Sequence, residues 1–323
     1  MQAKESGARR SGNSYINAGE MTSLFADQAL IQGGWRQAVR LTFQDGRISA
    51  VETGAAPRAG DERHAVVVPA MPNLHSHAFQ RAMAGLAERR HTGNDTFWSW
   101  RELMYRLALS MNPAQVRAVA AQAYVEMLEA GFSRVGEFHY LHHNVDGRPY
   151  ADIAEMATAV SAAAADTGLG MTLLPVFYAH SSFGGKAPND GQRRFINSVD
   201  RYAQLLDGCR RAVKPLGTGV VGVAPHSLRA VTPEELTAVV ALAPNAPIHI
   251  HIAEQMREVE DCVAWSGQRP VEWLLDHAAV GDCWCLVHAT HMTESETARA
   301  AARRVLGHFD GLINSGMCRH PHK

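Results

Sequence analysis

Two histidine pairs of the same spacing stand far apart in the chain, His75-Ser76-His77 and His249-Ile250-His251, each at the end of an apolar run that reads as a buried strand. Side chains two apart on an extended strand share a face, so both imidazoles of a pair can reach one ion. A single pair of this kind would pass as two surface histidines. Two pairs, both at strand ends, point to metal ligation, with one of His249 and His251 facing the other ligands. Glu254 lies three residues beyond His251, a carboxylate within one helical turn of a ligand and so placed to pass a proton. His288 ends a further apolar run, where its imidazole can hydrogen-bond a reacting oxygen or a tetrahedral centre. In Pro225-His226-Ser227-Leu228-Arg229 the guanidinium is the natural bidentate partner of a carboxylate. Plainer readings compete at each position: an early-helix charge for Glu254, a satisfied core histidine for His288, a solvated cation for Arg229. Their shared placement at strand ends favours function. His139, His142 and His143 are read as structural or supporting groups.

Such groups need a scaffold that delivers strand ends to one place, and the chain alternates accordingly. Strand-like runs end near Asn73 to His77, span Phe132 to Tyr140, Met171 to Tyr178, Val220 to Ala224, Ile248 to Ile252 and Cys283 to Val287, and helical patterns separate them. Asn112-Pro113 opens a helix that stops at Gly131, Thr232-Pro233-Glu234-Glu235 caps another, and Thr293 with Glu296 caps a third. Repeated strand-then-helix units predict an α/β fold with a parallel sheet, in which functional groups collect at the C-terminal strand ends. Six strand candidates predict a (β/α)8 TIM-like barrel without its last two strands. An open doubly wound sheet is the alternative, although no Gly-rich phosphate loop follows the first strand. The expected organisation is a disordered extension over 1–20, a small β-rich accessory portion of β-sandwich type over 21–68, the barrel over 69–302 and an aberrant tail over 303–323.

Composition narrows the class of ligand. Lys and Arg number 31 against 32 Asp and Glu, a net charge of −1, so no global field recruits nucleic acid or a membrane surface. No apolar run approaches the ~20 residues that span a bilayer. A small-molecule substrate is the expected partner, and a homodimer is compatible with the sequence. Five widely spread cysteines without a C-x-x-C pair suit a reducing, cytoplasmic setting.

The chain resembles the amidohydrolase superfamily in Pro72-Asn73-Leu74-His75-Ser76-His77, and its one-metal deaminase and chlorohydrolase branch in His249-Ile250-His251-Ile252-Ala253-Glu254-Gln255. Glu137 to His143, Ala224 to Arg229 and Leu286 to His291 narrow the resemblance to the formimidoylglutamate deiminases, over about Ser23 to Arg299. The resemblance implies one Zn2+ per chain, with iron as the other candidate, held by His75, His77 and His251. It implies Glu254 and His288 as catalytic groups, and Gln80, Tyr140, His226 and Arg229 as the residues that hold the glutamate portion of N-formimidoyl-L-glutamate, which is hydrolysed to N-formyl-L-glutamate and ammonia in histidine degradation. The family also carries an Asp at the end of the eighth strand as fourth ligand and base, and no position here matches it; Asp310 comes too early. The tail therefore reads as the product of a frameshift or premature stop, and little or no deiminase activity is expected of the chain as written. Another amidine or an aminated ring as substrate, or an inactive remnant, are the alternatives.

Overall fold

The computed structural model describes residues 22–86 and 97–309. The readings of 1–20 as disordered and of 310–323 as an aberrant tail lie outside the described residues. The chain divides into two compact units after Ala70.

The N-terminal unit is a mixed four-stranded sheet of β1 (Thr22–Ile31), β2 (Gly34–Gln44), β3 (Arg47–Glu52) and β4 (Glu62–Val67), in the order β3-β2-β1-β4. The β2–β3 hairpin turns through Asp45-Gly46, where φ is 51° and 71°. A two-residue turn of this hand needs positive φ at both positions, which Asp-Gly tolerates. Ala26, Ala29, Val39 and Leu41 make its small core, and Asp61 accepts from Ser23 Oγ at 2.6 Å and Arg40 Nε at 2.9 Å, tying the start of β4 to β1 and β2.

The second unit runs β5 (Met71–Ser76), α1 (Phe97–Ala108), α2 (Pro113–Glu129), β6 (Phe132–His139), α3 (Glu155–Thr167), β7 (Gly170–Phe177), α4 (Val199–Val213), β8 (Val220–Val221) and β9 (Ala224–Pro225). It continues through α5 (Pro233–Ala241), β10 (Ile248–Ile252), α6 (Met256–Ser266), α7 (Pro270–His277), β11 (Trp284–His288), α8 (Glu294–Ala302) and β12 (Leu306–Phe309). Every strand pairing in this unit is parallel, the TIM-like α/β arrangement that strand-helix alternation dictates. β8 and β9 share one strand position, broken at Gly222, whose N–H donates to Leu173 O at 2.9 Å. A Cβ at Gly222 would fall 2.3 Å from Pro247 O, so only glycine allows this approach. A bridge between Val223 and Ile248 carries the parallel pairing on to β10. Among the described residues no helix is long and apolar enough to cross a membrane.

The helix boundaries follow the capping chemistry. Asn112, Thr232 and Thr293 each exchange side-chain and backbone hydrogen bonds with the residue three positions on, and α2 stops before Gly131, at φ 89°. Three features go beyond the sequence reading. Helix α4, for which the sequence reading gave no end, runs to Val213, where Cys209 and Val213 extend its buried face. Helix α1 has no counterpart in that reading. Residues Leu306–Phe309, at the start of the expected aberrant tail, form β12, paired with β11 from Cys285↔Leu306 to His288↔Phe309. Four residues are too few to show a convincing period of two, and the partner strand supplies the pairing instead. The count of six barrel strands is thereby corrected, since β5, β6, β7, β8 with β9, β10, β11 and β12 fill seven positions.

Close approach also governs β5 and β6. A Cβ on Gly136 would fall 2.4 Å from the carbonyl oxygen of Leu74, the residue before His75. Gly136→Ala should therefore destabilise the fold by about 1–3 kcal/mol, as overpacking of a closed interface does, and displace the first histidine pair. Thermal unfolding checks this, and an unchanged melting temperature would mean that β5 yields freely.

Candidate metal centre

Each group expected to do chemistry stands at the C-terminal end of a strand. His75 lies on β5 and His77 just after it, Gln80 in the 3-10 turn Ala78–Met83 that follows, and Tyr140 just past β6. His226 and Arg229 follow β9, His251 lies on β10 with Glu254 two residues past its end, and His288 ends β11. All nine line one cavity of about 310 Å³.

Three of the nine converge. His75 Nε2 is 3.0 Å from His77 Nε2 and 3.2 Å from His251 Nε2, and among the described residues this is the one group of potential ligands gathered within 4.8 Å. Two of the three rings are anchored through the nitrogen that faces away: His77 Nδ1 donates to Phe138 O at 2.8 Å, and His251 Nδ1 to His226 O at 3.1 Å. A proton on Nδ1 fixes the tautomer that leaves the Nε2 lone pair facing its neighbours. His249, which shares β10 with His251, is buried but does not line the cavity.

Burial sets the charge state. It pushes the His77 imidazole down to about 4 and the His139 imidazole down to about 3, and holds His142 and His251 well below the usual 6.5. Neutral imidazoles with fixed tautomers suit a borderline-soft divalent ion such as zinc, so the donor set fits that group.

On one side of the cluster the His251 and His288 rings stack with centroids 5.1 Å apart, and His288 Nε2 lies 3.8 Å from Glu254 Oε2. The backbone here is bent: Ala253, His288 and Ala289 have φ of 52°, 68° and 48°. Left-handed conformations of this kind persist in non-glycine residues only where surrounding bonds over-determine them. Ala289 N–H donates to Ile252 O and His291 N–H to Ala253 O, both at 3.0 Å, lacing the two strand ends together.

On the other side Gln80 Nε2 donates to Tyr140 OH at 2.8 Å, and that hydroxyl reaches Met104 Sδ at 3.7 Å. His226 packs on the Tyr178 ring at 4.5 Å. The half-buried Arg229 has a buried Nε with no hydrogen-bond partner in the protein, an unusual state for so strong a donor. Met104, Tyr105, Tyr178 and Phe195 complete the lining and were not anticipated from sequence. Tyr178 directly follows β7 and so carried the strand-end signal; the other three carried none. His139, His142 and His143 lie buried away from the cavity, with His142 Nε2 on Val176 O at 2.8 Å and His143 Nε2 on Ile196 O at 3.0 Å.

Parallel strands that end in three convergent imidazoles, with a carboxylate and a further histidine beside them, define a TIM-like α/β fold with a three-histidine group that could hold a metal ion. Residues 66–319 match the profile of the Amidohydrolase family, and the chain belongs to that family. Residues 21–65 match the formimidoylglutamate deiminase HutF, N-terminal domain. Formimidoylglutamate deiminase of Pseudomonas aeruginosa is 49% identical over 283 residues, 87% of this chain and 62% of that protein. The crystal structure of an amidohydrolase from Brucella melitensis superposes with a TM-score of 0.86 at 59% identity, over 88% of this chain and 63% of that one. Atrazine chlorohydrolase from Arthrobacter aurescens TC1, complexed with zinc, shares the fold at a TM-score of 0.69 and 20% identity, over 88% of this chain and 64% of that one. The chain thus spans between three fifths and two thirds of the length of these relatives.

The buried imidazoles make stability depend on pH. A histidine whose folded pKa is depressed binds its proton more readily in the unfolded chain, so stability is full above about 6.5 and is lost as pH falls toward 4 for His77. Burial pushes the Glu137 carboxyl up to about 7 from 4.5, which works in the opposite sense as pH rises through that window. Burial also raises Glu258 and lowers His143, so five depressed histidines, His77, His139, His142, His143 and His251, outweigh two raised carboxyls, Glu137 and Glu258. The unfolding midpoint of chelator-treated protein should climb from pH 4 to about pH 6.5, and a flat or falling profile would contradict the neutral cluster.

Proposed function

We propose that this site performs the zinc-dependent hydrolytic deimination of N-formimidoyl-L-glutamate to N-formyl-L-glutamate and ammonia, a cytoplasmic step of histidine degradation. The observation that carries the reading is the division of one cavity into three parts: a three-imidazole cluster, the Glu254–His288 pair 3.8 Å apart, and the partnerless Arg229 Nε. The name and 49% identity of the Pseudomonas aeruginosa relative support the same substrate.

His75, His77 and His251 would hold the ion, which when bound supplies Lewis-acid chemistry and makes water acidic enough to act as a nucleophile near neutral pH. Arg229 takes the carboxylate end of the substrate through charge-assisted hydrogen bonds, and Gln80, Tyr140 and His226 flank it. This places the amidine carbon toward the histidines. As the carbon–oxygen bond forms, His288 donates a hydrogen bond to the tetrahedral centre. Glu254 carries the proton from the attacking water to the departing nitrogen. The carbon–nitrogen bond then breaks and ammonia leaves. The cavity, about 310 Å³, suits a small polar substrate.

In a full-length version that supplies the eighth-strand aspartate, purified zinc-loaded protein should release ammonia from N-formimidoyl-L-glutamate. Arg229→Ala should keep its zinc and lose on the order of 2–4 kcal/mol of transition-state binding to the acidic substrate, roughly 30- to 1000-fold in kcat/KM. Turnover of formamidine, which carries no carboxylate, should be unaffected. Equal losses on both compounds would remove the carboxylate role, and no ammonia from the full-length parent would remove the reading.

A further inference from the structure

Glu258 is a buried carboxylate, 4% exposed, that none of the steps above employs. It sits in the first turn of α6, and its two oxygens reach backward along the chain: Oε1 accepts from Ala253 N–H at 3.2 Å and Oε2 from Glu254 N–H at 3.1 Å. In an ordinary capping box the acid three residues into a helix returns to the amide of the cap itself. The cap here is Gln255, so Glu258 reaches past it to the two residues before it. Those two residues form the bend at the end of β10. Ala253 is held at φ 52°, a conformation that costs an L-residue energy. The two amides, presented side by side to one carboxylate, supply the compensation. The same bend turns Glu254 out of the line of β10 to stand 3.8 Å from His288.

We propose that Glu258 is a positioning residue that acts through Glu254, locking the Ala253–Glu254 bend so that the Glu254 carboxylate keeps its place beside His288. The proposal rests on the reading that Glu254 carries the proton. Gln is the informative replacement. It preserves shape and one acceptor, but turns an NH2 group toward the other amide, where two donors meet.

The test is a double-mutant cycle on the zinc-loaded full-length version with N-formimidoyl-L-glutamate, comparing parent, Glu254→Gln, Glu258→Gln and the double variant, together with hydrogen exchange at the Ala253 and Glu254 amides of the metal-free proteins. Glu258→Gln should retain zinc, exchange both amides faster and lose about 10- to 100-fold in kcat, the scale expected when a reacting group is misplaced by an ångström or less. KM should stay within about threefold. The double variant should be no slower than Glu254→Gln alone, because a group that acts through another has nothing left to position. Multiplying losses, or an unchanged kcat and exchange rate in Glu258→Gln while Glu254→Gln is slow, would overturn this inference and leave the proton-carrying role of Glu254 standing. Equal turnover by parent and Glu254→Gln would overturn that role and the inference with it. If Glu258→Gln does not fold, the cycle is run with Ala253→Gly in all four proteins, since glycine takes positive φ without strain, and the same outcomes decide.

Discussion

Three imidazole nitrogens within 4.8 Å of one another, in a half-buried to buried setting, form an arrangement that water would not favour and that must be imposed by the fold. Two conditions impose it. The rings must be neutral, which burial ensures for His77 and His251, and they must be aimed, which the Nδ1 bonds to Phe138 O and His226 O ensure. Each anchor comes from a different strand than the ring it holds, so the cluster depends on strand register. A one-residue slip would turn each ligand to the opposite face of the sheet. The glycines at 136 and 222 enforce that register by letting adjacent backbones approach more closely than a side chain would permit.

The remainder of the cavity is organised around that cluster by chemical character. The strand ends of β10 and β11 carry Glu254 and His288 on bent, cross-laced backbone, with positive φ in the three non-glycine residues Ala253, His288 and Ala289. The same cavity is lined by Tyr140, Tyr178, Phe195 and Arg229. Their rings pack edge to face, Phe195 against Tyr140 at 5.0 Å, giving the guanidinium a wall of low polarity in which a charged partner gains more than it would in water.

Much of this was legible because two strong periodicities coincide with chemistry. Two H-x-H pairs, both at strand ends, need no tertiary information to suggest ligands, and Asn112, Thr232 and Thr293 announce their helices by local hydrogen bonding alone. Where one residue type serves several environments the sequence is silent. Met104, Tyr105 and Phe195 look like any core residues until the fold brings them to the cavity. Glu258 looks like a helix-surface charge, and its burial depends on packing that no local window contains. Leu306–Phe309 is a strand only because β11 offers an edge of matching direction. The choice between His249 and His251 also required more than spacing, since both lie on β10 and the decisive feature is the carbonyl of His226 against His251 Nδ1.

Membership in the Amidohydrolase family and the geometry of the cluster meet in one claim, that a single divalent ion is held by the Nε2 atoms of His75, His77 and His251. X-ray absorption at the zinc edge on protein loaded with one equivalent of the metal tests it most directly. The expected spectrum shows nitrogen neighbours at about 2.0–2.1 Å, with the outer-shell scattering of three imidazole rings that drops to two in His251→Ala. A first shell without imidazole scattering, or a spectrum unaltered by that substitution, would contradict the account.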